Sequence, residues 1–172
     1  MVVKRPPFAV VFVAIAVIAL GEASGAVIGG LRPAVARWAA AQVNARPQVH
    51  GFTGSAEYDD EVRDRAVFAA EAGLSFLHTH AEGMGLVVFF ASTLVASAVS
   101  GRRLRGGLYV LLTAGALFPA GYLVYALAVL TRGRESGVEL AETWVLTPLG
   151  TAAIVGLLGL AAALARRPVE PS

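Results

Sequence analysis

The chain has 172 residues, 56% of them hydrophobic and only 15% charged, with a strongly positive mean hydropathy, so a soluble core cannot hide its apolar surface and the excess must face lipid. A formal charge of +2, with basic residues at the flanks of apolar runs, excludes a nucleic-acid groove. The absence of cysteine excludes disulfides, thiolate ligands, iron–sulfur clusters and covalently attached c-type haem.

Crossing a bilayer takes roughly 20 helical residues. Four apolar runs are that long, at about residues 8–31, 77–100, 107–130 and 143–165, and they predict one all-α domain, an integral membrane four-helix bundle. The first run, with Lys4 and Arg5 before it and Ala23, Ser24 and Gly25 toward its end, has features of a secretory signal, and it is expected to be retained as a span. Basic residues set the orientation. Lys4 and Arg5, the linker Arg102, Arg103 and Arg105, and the tail Arg166 and Arg167 fall on one face if the runs alternate. That face is expected to be cytoplasmic, with both termini inside a plasma (inner) membrane.

The connection over about residues 32–76 then lies outside and is too long for a bare loop. Pro33 is placed to open a helix through Trp38 to Val43, which Arg46, Pro47, Gly51 and Gly54 end. Ser55 is placed to cap a second helix, on which Asp59 with Arg63 and Glu61 with Arg65 are spaced to pair on a solvated face. The other outer connection is Thr131 to Glu142, and the two connections carry most of the acids.

Gly21, Gly25 and Gly29 form a four-residue ladder that lets another backbone approach, and Gly83, Gly85, Gly150, Gly156 and Gly159 extend the theme. Helix packing accounts for such ladders, although a flat cofactor could use the same room. Ionisable residues within a span cost about 2.5 to 3.5 kcal/mol on insertion scales and are retained for a reason. Here they are Glu22 in the outer half of the first span and His78, His80 and Glu82 at the outer start of the second. Tyr122 and Tyr125 lie at similar depth in the third, and Trp144 opens the fourth as an interface anchor.

At about 100° per residue, positions 78 and 80 point some 200° apart, so one metal ion would rarely be gripped by both. His78 shares a face with Glu82, and His80 with Met84. Two hydrated imidazoles at the headgroup boundary would be the bland interpretation, and the two intramembrane carboxylates weigh against it. His50, in the polar connection, reads as a surface residue.

The stretch Phe76-Leu77-His78-Thr79-His80-Ala81-Glu82-Gly83-Met84-Gly85-Leu86-Val87-Val88-Phe89-Phe90 resembles the His-x-His helix of the haem–copper oxidase catalytic subunit. It is also similar to a small bacterial family of four-span proteins in the same superfamily, in which a Gly-rich first span and a turn like Gly51-Phe52-Thr53-Gly54 precede the motif. The resemblance covers residues 21–30 loosely and 51–90 better. It implies that His78 and His80 bind b-type haem on opposite helix faces. The oxidases have three four-helix arcs about a pseudo-threefold axis, with further histidines for copper. This chain supplies one arc and no such histidines, so only haem ligation carries over.

The expectation is therefore a membrane haem b protein for electron transfer or for redox or gas sensing, with oxidoreductase activity if it is an enzyme. His78 and His80 are the axial ligands, Met84 is an alternative ligand to the iron, and Glu22, Glu82, Tyr122 and Tyr125 surround them as hydrogen-bonding and proton-handling groups. One histidine per face implies that a neighbouring copy completes each haem; the oxidase resemblance implies a homotrimer, and the competing arrangement is a monomer or dimer in which Met84 or water completes the coordination. Two other readings are a cofactor-free accessory subunit of a larger respiratory or transport complex, and a mononuclear copper or zinc site built from His78, His80, Glu22 and Glu82.

Overall fold

The computed structural model describes residues 4–166, so Arg167 of the basic tail lies outside the described residues. The chain forms α1 (Phe8–Asn44), α2 (Pro47–His50), α3 (Ala56–Ala98), α4 (Arg102–Ala116), α5 (Ala120–Arg132), α6 (Arg134–Ala141), a π-helical turn (Glu142–Leu146) and α7 (Thr147–Ala165). These make four columns, Phe8–Asn44, Ala56–Ala98, Arg102–Arg132 and Arg134–Ala165, each long and apolar enough to cross a membrane. At 31 to 43 residues, or roughly 45 to 65 Å, each column exceeds the hydrocarbon thickness of about 30 Å.

The surplus length corrects the expected outer connection. Pro33 does not start a new helix but sits inside α1, which runs unbroken to Asn44. Proline removes one backbone bond, and the turns beyond it are held by packing instead. Ala39 and Val43 are buried against α3 and α5, and Arg32 pairs with Glu71 at 3.1 Å. The second outer helix is likewise continuous with the second apolar run, as α3. The break between α1 and α3 falls where it is expected, with Gly51 and Gly54 at φ 71° and 88°.

Ser55 stands at the N-cap of α3, but its side chain makes no cap bond. Asp59 takes over: its carboxylate accepts from the backbone N–H of Thr53 at 2.8 Å and of Gly54 at 3.0 Å. Asp59 is thus not paired with Arg63, which goes to Asp60 at 2.8 Å and Asp64 at 3.4 Å, whereas Glu61 and Arg65 do pair. Asp59→Ala should therefore cost about 1 kcal/mol, the usual worth of a cap, and Ser55→Ala close to nothing, as read by thermal unfolding in detergent.

The third apolar run is not one smooth helix. Pro119 has no N–H to offer the carbonyl four residues back, and Phe118 N–H reaches Gly115 O at 3.1 Å instead, so the chain tightens between α4 and α5. The connection at Thr131–Glu142 is itself largely helical: Gly133 alone, at φ 83°, separates α5 from α6. Pro148 similarly accounts for the π-helical turn, in which Thr147 N–H donates to Glu142 O.

Consecutive columns pack antiparallel in chain order, α1 on α3, α3 on α4 and α5, and these on α6 and α7. The second column is the most buried of the four and the fourth the least, as in an arc with α3 inside it. Lys4, Arg5, Arg102, Arg103, Arg105 and Arg166 collect at the end where α1 and α4 begin and α3 and α7 finish. Close approach rests on small residues. A Cβ at Gly21 would lie 2.7 Å from Ala81 Cβ, and one at Gly115 2.6 Å from Ala153 Cα. Gly85 is pressed against Ala14 and Ile18, and Gly156 against Leu111 and Leu112.

Candidate functional site

His78 and His80 lie where α3 passes between α1 and α5, and the helix turns them to opposite sides as their spacing predicts. His78 faces α1. Its Nδ1 is 3.0 Å from the carbonyl oxygen of Gly21 and 3.1 Å from Glu82 Oε1, one helical turn along α3. The imidazole rests on Gly25, where an added Cβ would fall 2.7 Å from ring atoms. Two rungs of the glycine ladder are thus taken up by α3 of the same chain, whereas a Cβ added at Gly29 would meet nothing within 4 Å from another helix among the described residues.

His80 faces α5. Its Nδ1 lies 2.9 Å from the carbonyl oxygen of Phe76, and its ring sits 5.0 Å from Tyr122, 5.9 Å from Phe118 and 6.0 Å from Phe76, centroid to centroid. Phe76 was legible as its i−4 neighbour. Phe118 was not, because the Pro119 turn brings it there.

These bonds determine the chemistry of both rings. A carbonyl oxygen only accepts, so in each imidazole Nδ1 carries the hydrogen and, in the neutral ring, Nε2 keeps its lone pair. Neither Nε2 has a hydrogen-bond partner among the described residues. Metal-ligating histidines use this arrangement, with Nδ1–H held by a carbonyl or carboxylate and Nε2 free. His78 and Glu82 are also reachable from outside the chain, with side chains 33% and 40% exposed. Each histidine thus presents one nitrogen donor, and the two donors face opposite sides of α3.

The other candidates spread out. Glu22 is exposed on α1 and has no hydrogen bond or ion pair among the described residues. Tyr122 meets the His80 ring in a tilted contact, whereas Tyr125 packs against Gly73 in the cluster of Ala66, Ala70 and Val129. Met84 packs against the cluster of Val10, Val88 and Leu112. His50 is half-buried, its Nε2 3.2 Å from Leu130 O. No three of His, Cys, Asp and Glu converge among the described residues, so the four-ligand copper or zinc site is not assembled within the chain.

Comparison of the chain with protein-family models, with curated proteins and with solved structures finds no match.

Proposed function

We propose that this is a plasma-membrane (inner-membrane) protein, crossing the bilayer four times with both termini cytoplasmic, that binds b-type haem through His78 and His80. The observation that carries this reading is the matched pair of imidazoles, each with Nδ1 tied to a backbone carbonyl and Nε2 unengaged, on opposite sides of one helix. The orientation rests on the basic residues gathered at one end of the columns. Bound haem would supply a one-electron iron centre, suited to electron transfer or to redox sensing.

The chain's own part is to hold the ligands. Gly21 O and Glu82 fix the His78 ring, Gly25 makes room for it, and Phe76 O and the aromatic rings beside His80 fix the other. Because the two ligands diverge, a haem with two imidazoles draws the second from another copy of the chain. The oxidase resemblance favours three copies, with His78 of each protomer and His80 of the next on either face of a shared haem. Native mass spectrometry in mild detergent tests this arrangement. A trimer with about one haem per chain is the expected result, and a monomer carrying haem rules out shared ligation.

A further inference from the structure

We infer that the corner cavity at the end of the molecule remote from the termini binds a phosphate-bearing anion. The cavity, of ≈ 370 Å³, lies between the α2 turn, the first part of α3 and the α5–α6 junction, and its lining includes Arg65, Arg132, Arg134, Glu135 and Ser136. Its shape is built in. The His50 ring nitrogen bonds Leu130 O at 3.2 Å, and Gly133 is so close to the α2 turn that an added Cβ would lie 2.8 Å from Val49 O.

Three arginines and a single acidic residue line the space. Arg65 is already paired with Glu61, whereas Arg132 and Arg134 have no acid partner among the described residues. The first turn of α6 opens into the same cavity and adds backbone N–H groups without intrahelical acceptors. Paired guanidiniums with fixed N–H donors suit the oxygens of a phosphate group.

Its height favours a lipid as the source. Arg132 stands thirty residues beyond Arg102 along the third column, or about 45 Å. That matches the full bilayer thickness of about 40–45 Å with headgroups. This height argument rests on the four-span reading; the cavity and its charges do not, nor do they involve the histidines.

The test uses the full-length protein in detergent, titrated with inorganic phosphate, and the same protein in nanodiscs of phosphatidylcholine with or without phosphatidylglycerol. Thermal stability and retained lipid by native mass spectrometry are the readouts. Wild type should be stabilised by phosphatidylglycerol and retain it, R132Q/R134Q should bind at least about tenfold more weakly, given the strength of charge-assisted bonds, and E135Q should bind more tightly. R102Q/R103Q, at the other end, should behave as wild type. Response to both probes assigns the site to phosphate in general, and response to the lipid alone to a headgroup. No response to either, or an unchanged response in R132Q/R134Q, overturns the inference, and the haem spectrum is unaffected in every case.

Discussion

Replacing His78 and His80 together by alanine is expected to abolish haem retention while leaving a folded helical protein. Neither imidazole is fully buried: His78 is held by Gly21 O and Glu82, and His80 by Phe76 O and the rings of Phe76, Phe118 and Tyr122. Truncating both loses the ring contacts of His80 but none of the close helix-to-helix contacts made at Gly21 and Gly85, and it removes the two imidazoles proposed as ligands. The single variants are more discriminating. With shared ligation, each haem loses one axial ligand in either His78→Ala or His80→Ala, so both should convert a six-coordinate spectrum to a five-coordinate one. If one variant is spectroscopically silent, that residue is not a ligand. If the double variant keeps an unchanged spectrum and stoichiometry, the assignment of both is wrong.

A large effect on stability is expected at the contact between α4 and α7. At Gly115 a Cβ would meet Ala153 Cα at 2.6 Å and Ala153 N at 2.8 Å, and backbone atoms cannot swing aside as a side-chain end does. The two helices must separate. Overpacking of this kind costs typically 1–3 kcal/mol, so Gly115→Ala should lower stability by about 2 kcal/mol in detergent. Gly107, also on α4, has nothing within 4 Å. Gly107→Ala should be neutral or stabilising by up to about 1 kcal/mol, because alanine is the better helix former. Equal melting temperatures for the two variants would remove the close α4–α7 contact from the account.

Much of this architecture could be read from hydrophobic patterning, because an apolar run of twenty or more residues has few alternatives to a long helix. The ends of the helices could not. Pro33 looks like a helix start, but whether the helix continues through it depends on Ala39, Val43 and the Arg32–Glu71 pair, which are contacts with α3 and α5. Likewise the stretch after Thr131 reads only as an outer connection, and it is helical, with Gly137 packed on the backbone of Ala128 and Val129. At the site, the divergence of His78 and His80 and the pairing of His78 with Glu82 follow from helical periodicity alone. The roles of Gly21 O, Gly25, Phe118 and Tyr122 depend on which helices flank α3, and no local pattern carries that. Glu22 was grouped with the histidines by depth, but depth does not fix the side of the helix from which a residue points.

The most direct test of the central claim is the visible absorption spectrum of the purified wild-type protein, oxidised and then reduced, with haem quantified against chain. The account predicts sharp reduced bands of a b-type haem held by two imidazoles, at about one haem per chain. A protein that is folded, helical and free of visible absorption after expression with ample haem would contradict it, and would leave the cofactor-free accessory subunit as the reading to pursue.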